Sequence, residues 1–283
     1  MGYYQYNRRT KTKKSLPKKL FIILLIPLGI LTAYITLNKL STMDNNDEIY
    51  QKSTEEAAED EKFDVNTAKF KKFSPKQFSE LYSRFAYPNT RLIINDYSIT
   101  GDEKADKVIN NLAESAGYQV RTAPVKNSLK QIDKGIFLQS KAEEAWTELQ
   151  KQAKKAKLSL RVTEGFRSAE DQSAIFKSRL GKLNTLRIIK RLEDKKIKEI
   201  LKQTAPPGYS RHHSGYTIDL ACENQPEVQF KTSKCFKWLS ADNYLNAKKA
   251  GWIPSYPEGV KNQGPEPEAW EYVWVGVASL IEK

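Results

Sequence analysis

An uninterrupted apolar run near the N-terminus constrains this chain more than any other feature. Residues 20–37 (LFIILLIPLGILTAYITL) carry no charge, and eighteen residues at about 1.5 Å each just span a hydrocarbon core of about 30 Å. Residues 1–19 contain seven lysines and arginines and no acid, which predicts a cytoplasmic N-terminus and an exported body. A cleaved signal peptide is the alternative, although no small-x-small cleavage site follows the run. We therefore expect a single transmembrane helix in the cytoplasmic membrane and an extracytoplasmic (periplasmic) domain.

The formal net charge of +13 suggests an anionic partner. Beyond the basic tail, however, basic residues alternate with acids at helical spacing, and no aromatic-basic pattern of a nucleic-acid reader is present. With the body outside the cell membrane, the charge favours an anionic envelope surface and excludes nucleic acid.

The two cysteines, Cys222 and Cys235, would meet an oxidising compartment and could form a disulfide. Two buried free thiols are the alternative. Because no C-x-x-C spacing is present, a cysteine-based metal site is not expected.

The rest of the chain divides by composition. Residues 38–69 are polar and acidic and read as a linker, residues 70–129 as a lead-in segment that packs on the main domain, and residues 130–283 as that domain. In the main domain, periodicity predicts helices that begin at Ser140 and span 168–180, 184–203 and 237–250, with strands at 158–163 and 272–277. Helices and strands segregate without a βαβ rhythm. We therefore expect an α+β fold around a small antiparallel sheet with flanking helices.

Both histidines of the chain, His212 and His213, fall in residues 206–220 (PPGYSRHHSGYTIDL). Asp219 follows His212 by seven positions, at the end of a predicted strand. Positions seven apart on one strand face opposite sides, so these two side chains converge only if the chain bends, and Ser214-Gly215 is a suitable bend. An imidazole and a carboxylate brought together are two of the three ligands of a catalytic zinc site. A solvated histidine on a surface turn is the alternative.

A third ligand and a general base must come from elsewhere in the chain. Glu268 and Glu271 precede the last predicted strand, and both could face one centre if the chain turns between them. One would bind the metal while the other handles the proton. The alternative reading is two surface acids in a polar loop. His213 is not included, because adjacent residues rarely aim at one centre.

Four segments together resemble the VanY-like D-alanyl-D-alanine carboxypeptidases, a family with L,D-carboxypeptidase relatives. Residues 207–219 look like its Pro-Gly-Tyr-Ser-x-His-x-Ser-Gly-x-x-x-Asp signature, and residues 164–172 are similar to its Ser-Gly-Tyr-Arg-Ser-x-x-x-Gln segment. Residues 252–257 resemble a Gly-Phe-x-x-Ser-Tyr-Pro element, and residues 268–276 stand where the family has Glu-Pro-Trp-His-x-Arg-Tyr-Val-Gly. The resemblance covers roughly residues 130–283.

The resemblance implies a role for each matching residue. His212 and Asp219 would be zinc ligands and Glu268 the general base. The positions that would hold the substrate, a peptidoglycan stem peptide that loses its terminal D-alanine, are Arg167, Gln172 and Ser210. The guanidinium fork of an arginine suits a free terminal carboxylate.

One departure from the family pattern concerns the metal site directly. Glu271 occupies the place of the third ligand, a histidine, and Ala269 and Val273 also differ. A glutamate can bind zinc, but two carboxylates cancel the formal charge of the dication and shift the preference towards metals such as Mn²⁺. We expect a membrane-anchored zinc or manganese carboxypeptidase. A non-catalytic peptidoglycan-binding module with a degenerate site and an L,D-carboxypeptidase are the alternatives.

Overall fold

The computed structural model describes residues 64–93, 97–125 and 127–282. All of these residues belong to the unit formed by residues 53–283. The predicted basic tail, the transmembrane helix at 20–37 and most of the acidic linker lie outside the described residues. Within the described ranges, no helix is both long and apolar enough to cross a membrane.

The fold is α+β, with small antiparallel sheets and helices around them. The helices are α1 (Pro75–Arg84), α2 (Glu103–Ser115), α3 (Ser140–Lys155), α4 (Ala169–Leu180), α5 (Thr185–Ile189), α6 (Asp194–Leu201) and α7 (Lys234–Lys248). The strands are β1 (Thr90–Leu92), β2 (Thr122–Pro124), β3 (Leu129–Asp133), β4 (Ile136–Gln139), β5 (Leu160–Glu164), β6 (Thr217–Cys222), β7 (Trp252–Tyr256) and β8 (Glu268–Trp274). Short 3₁₀ helices span Arg211–Ser214, Glu227–Thr232 and Val277–Ser279.

The largest sheet has four strands in the order β5-β6-β8-β7, and every neighbouring pair is antiparallel. Strand β6 lies inside this sheet, and all of its residues are buried. Asp219 on β6 is paired with Glu271 on β8 and with Glu164 on β5. Because directly opposed residues place their side chains on the same face, the register alone gathers three carboxylates.

Two hydrophobic clusters hold these elements together. The first joins the sheet to α1, α3 and α7 and includes Phe78, Trp146 and Leu239. The second joins α2 to α4, α5 and α6 and includes Ile109 and Phe176. Residues 70–129 contribute to both clusters, because α1 belongs to the first and α2 to the second.

Three predicted elements differ from the observed ones. The helix expected over 184–203 is interrupted, because Arg191 adopts a positive φ of 63° between α5 and α6 and its guanidinium pairs with Asp194 at 2.8 Å. The backbone of α7 leaves helical geometry from Ala241 to Tyr244. Strand β8 begins at Glu268, earlier than the predicted 272, because an irregular register against β7 accommodates the polar residues at its start.

Candidate metal centre

The predicted bend between His212 and Asp219 is present. His212 lies in the 3₁₀ helix Arg211–Ser214, and Gly215 then takes a left-handed conformation (φ 75°) that turns the chain into β6. This left-handed conformation favours glycine at position 215, where a Cβ atom would also lie 2.9 Å from the Leu129 Cδ2 atom. Asp219 lies within β6 rather than at its end.

The side chains of His212, Asp219 and Glu271 converge. The His212 Nε2 atom lies 3.4 Å from Asp219 Oδ1 and 3.4 Å from Glu271 Oε2. One ligand atom from each residue falls within 4.8 Å of the others, and all three side chains are buried. The sequence thus predicted a group of residues that the structure brings together.

These three side chains fit a divalent ion. Two ligand atoms about 2.1 Å from a tetrahedral ion are separated by about 3.4 Å. His212 Nε2 lies at this distance from each carboxylate, which is long for a direct hydrogen bond. His212 Nδ1–H donates to the Gly165 carbonyl at 2.7 Å, which directs the lone pair of Nε2 towards the carboxylates. The Asp219 Oδ1 atom is buried without a hydrogen-bond partner, a costly arrangement unless another group binds it.

The surroundings of Gly165 fix the carbonyl that holds His212. A Cβ atom at this position would lie 2.5 Å from the Phe137 carbonyl oxygen, so the chain from β5 into α4 passes β4 at a distance that only glycine permits. The next residue strengthens this junction, because the Phe166 N–H donates to the same Phe137 oxygen at 2.7 Å.

The protein side chains alone strongly perturb one another's pKa values. Burial opposes the charged form of His212, yet Asp219 and Glu271 raise its pKa well above the usual value. Burial raises the pKa of Asp219 to about 6, although His212 opposes the shift. Burial also disfavours ionised Glu271, but His212, Arg211 and Ser255 lower its pKa to about 2. The three side chains therefore place two carboxylates beside an imidazole that can lose its proton. A site for a cation needs both features.

Glu268 lies at the edge of the same cleft, which has a volume of about 260 Å³. Burial and the carboxylates of Glu271 and Asp219 raise its pKa to about 10. The irregular register of β8 against β7 lies between Glu268 and Tyr272, so Glu268 and Glu271 both line the cleft although they are three residues apart. Glu268 is therefore placed to exchange a proton with a molecule bound beside the three converging side chains.

Arg167 also lines the cleft, but its guanidinium is held by the chain itself. Its Nε and Nη2 atoms donate to the two carboxylate oxygens of Glu164, and its Nη1 donates to Gln172 Oε1 at 2.6 Å. Gln172 Nε2 in turn donates to the Ala205 carbonyl at 2.7 Å. Gln172 therefore orients Arg167, and Glu164 compensates its charge.

Ser210 and His213 lie in different surroundings. Ser210 is buried and lines the same cleft as Arg167. His213 points elsewhere, because its Nδ1 lies 2.7 Å from the Arg167 carbonyl and its Nε2 accepts from the Gly208 N–H at 3.0 Å. Both ring nitrogens of His213 are thus occupied, and burial lowers its pKa to about 4.

Sequence reasoning missed Glu164 and Ser255. Glu164 stands where the family segment has a serine, and that difference was the available signal. Ser255 lies in the Trp252–Tyr256 strand and donates from Oγ to Glu271 Oε1 at 2.5 Å. No sequence spacing indicates this contact, because it depends on the pairing of β7 with β8.

The cysteines are joined in the structure. Cys222, the last residue of β6, and Cys235, in the first turn of α7, form a disulfide with their Cα atoms 5.7 Å apart. The link ties the strand that carries Asp219 to a helix of the main core.

A buried imidazole and carboxylates around one point, with a further glutamate beside them, are the groups that a metal-dependent hydrolase requires. Residues 135–277 match the model of the VanY family, described as D-alanyl-D-alanine carboxypeptidase. This match spans half of the chain, and the chain belongs to this family of peptidoglycan carboxypeptidases.

Comparison with curated proteins finds no match. Among solved structures, the LdcB LD-carboxypeptidase is 23% identical with a TM-score of 0.42, over 56% of this chain and 68% of that one. The vancomycin resistance D,D-pentapeptidase VanY in complex with Zn(II) is 19% identical with a TM-score of 0.39, over 58% and 83%. DacB from Streptococcus pneumoniae D39 is 20% identical with a TM-score of 0.37, over 56% and 74%.

Proposed function

We propose that this protein is a metal-dependent D,D-carboxypeptidase that removes the C-terminal D-alanine from peptidoglycan stem peptides. The observation that carries the proposal is the convergence of His212, Asp219 and Glu271 on one point within the cleft. The family match supports the substrate class. The reaction consumes one water and yields free D-alanine and a peptide shortened by one residue.

The three converging residues would hold the ion, and Glu268 would move the proton. A divalent ion at this position would polarise the scissile carbonyl and acidify a water molecule. Glu268 accepts the proton of the attacking water and delivers it to the departing amine of D-alanine. Its raised pKa suits the donation, while a nearby dication favours the ionised form needed for the first transfer.

Arg167 would bind the terminal carboxylate of the substrate. A guanidinium has five N–H donors. The chain uses three of them, two on Glu164 and one on Gln172, and so leaves two for a ligand. Because Glu164 and Gln172 fix the plane of the guanidinium, these two donors have a defined direction, and Ser210 lines the same cleft.

Zinc is the metal we propose, because the donor set of one imidazole and two carboxylates is within its chemistry. The VanY structure in complex with Zn(II) supports the same choice. The replacement of a neutral histidine by Glu271 makes Mn²⁺ the second metal to test.

We propose that residues 20–37 anchor the protein in the cytoplasmic membrane, with residues 1–19 inside and the catalytic domain outside. The apolar run and its basic flank support this arrangement. The disulfide between Cys222 and Cys235 supports an oxidising compartment for the domain.

The test is hydrolysis of defined stem peptides by the full-length protein in detergent. A pentapeptide that ends in D-Ala-D-Ala and a tetrapeptide that ends in a single D-Ala after an L-centre are incubated with the zinc- or manganese-loaded protein, and the products are weighed by mass spectrometry. Release of one alanine from the pentapeptide is the expected result. Release from the tetrapeptide alone would identify an L,D-carboxypeptidase, and binding without release would identify a non-catalytic peptidoglycan-binding module.

A further inference from the structure

Arg211 is a buried cation in an unusual place. Arg211 is 2% exposed, and none of the ion pairs found among the described residues includes it. The guanidinium carbon instead lies 3.7 Å from the ring centroid of Tyr82 and 3.9 Å from that of Tyr256. Burial of a cation without a direct partner is costly, and two aromatic faces offset only part of that cost. We therefore looked for a negatively charged group that interacts with Arg211 indirectly.

Ser255 connects this cation to the metal centre. Arg211 Nη1 donates to the Ser255 carbonyl and to its Oγ, the latter at 3.0 Å. Ser255 Oγ donates onward to Glu271 Oε1 at 2.5 Å. A guanidinium can only donate and an ionised carboxylate can only accept, so the direction of the hydroxyl proton is fixed. The other oxygen of Glu271, Oε2, then faces His212 Nε2 at 3.4 Å.

We propose that Ser255 and Arg211 are positioning residues that make Glu271 a one-oxygen metal ligand. With Oε1 engaged by the hydroxyl, only Oε2 remains to face the ion, so the carboxylate presents a single donor as a histidine would. Arg211 donates to Ser255, and Ser255 donates to Glu271. The positive charge of Arg211 near this chain of hydrogen bonds offsets part of the negative charge that Glu271 brings in place of a neutral imidazole. The ion would then keep more of the polarising power that two carboxylates would otherwise reduce.

The same contacts give the segment before the main domain a part in the site. Tyr82 is on α1, in the lead-in segment, and closes one face of the Arg211 guanidinium. Tyr256, at the end of β7, closes the other face next to Ser255. The lead-in segment thereby supports the third metal ligand through Arg211 and Ser255.

This inference rests on the proposed metal site but does not require hydrolysis. The experiment measures zinc affinity of the metal-stripped full-length protein in detergent by competition with a coloured chelator. Ser255→Ala is expected to weaken zinc binding by about 10–100-fold, the usual cost of losing a residue that orients a ligand. Ser240→Ala, which removes a partly buried hydroxyl bonded to the Phe236 carbonyl in α7, is the matched control and should leave the affinity unchanged.

A double-mutant cycle tests whether Arg211 acts through Ser255. Arg211→Met should weaken zinc binding in the parent but change it by less than about twofold in the Ser255→Ala background. Zinc affinity of a folded Ser255→Ala protein equal to that of the parent overturns the proposal, even if Arg211→Met fails to fold. A parent that binds no zinc overturns the metal site and this inference together. A parent that binds zinc without hydrolysing peptides refutes only the proposed function.

Discussion

Asp219 and Glu271 are directly opposite one another in the ladder between β6 and β8. Two like charges at opposed positions of a sheet repel one another, so this pairing is unfavourable unless a cation lies beside it. His212 approaches both carboxylates at 3.4 Å from a separate turn of the chain. The strand register therefore gathers negative charge at one point, and the 3₁₀ helix brings the imidazole of His212 to it.

Replacing Glu268 by glutamine should abolish most of the activity and leave the metal in place. The amide keeps the size of the side chain but cannot accept the proton of the attacking water, and loss of a general base costs about 10²–10⁴-fold in rate. The measurement is D-alanine release by the zinc-loaded variant, with metal content determined in parallel. Normal turnover by Glu268→Gln would assign the base to another residue.

Zinc binding should release protons and strengthen as the pH rises. His212 has a raised pKa and Asp219 a pKa of about 6, so at mildly acidic pH both hold protons that compete with the ion. Affinity should therefore increase over an interval that begins near pH 5, passes the Asp219 pKa of about 6 and extends above the usual imidazole pKa of about 6.5, by up to about tenfold per pH unit for each proton displaced. Calorimetry in two buffers of different ionisation enthalpy counts the protons. An affinity independent of pH across that interval would show that these groups do not bind the metal.

Arg167→Lys should raise KM for substrates with a free terminal carboxylate. A lysine lacks the fixed, planar set of donors that lets an arginine bind Glu164 and the substrate at the same time. Loss of one hydrogen bond to a charged group costs about 1.5–3 kcal/mol, which corresponds to an increase in KM of about 10–150-fold. A peptide with a C-terminal amide should show no such difference between parent and variant. Arg179→Lys, in the same cleft on α4, is the control. Equal effects on the acid and the amide would place the substrate carboxylate elsewhere.

Removing the disulfide should destabilise the domain without altering the site chemistry. The Cys222–Cys235 link closes a loop with a sequence separation of 13, for which the chain-entropy estimate is about 3 kcal/mol. The double serine variant should unfold at a lower temperature than the oxidised parent, by circular dichroism. A reductant should lower the melting temperature of the parent and not that of the variant. If complete reduction leaves the melting temperature of the parent unchanged, the disulfide does not contribute to the stability of the fold.

The features of the site that depend on residues close together in the chain could be predicted from the sequence. A bend at Ser214-Gly215 between His212 and Asp219 follows from the opposite faces of a strand, and the helix predicted over 168–180 is α4, whose start Ser168 caps. Glu268 and Glu271 were candidates from their position before the last predicted strand, and the family resemblance added which of them would be the base and which the metal ligand.

What the sequence did not predict depends on contacts between distant segments. The placement of Ser255 against Glu271 follows from the β7–β8 pairing, and that of Tyr82 on Arg211 from the docking of α1. The interruption between α5 and α6 was missed because a single residue, Arg191, adopts a left-handed backbone that its side chain does not favour in isolation. This exception is local, because Arg191 pairs with Asp194 only three residues further along the chain.

The most direct test is a zinc titration of the metal-stripped parent beside His212→Gln, Glu271→Gln and His213→Gln. His212 and Glu271 face the proposed ion, whereas His213 bonds only to the backbone of Arg167 and Gly208. We predict one tightly bound zinc per parent chain, a loss of affinity of at least about 100-fold in the first two variants, and parent-like binding in the third. Zinc binding that survives His212→Gln, or that is lost only in His213→Gln, would contradict the account.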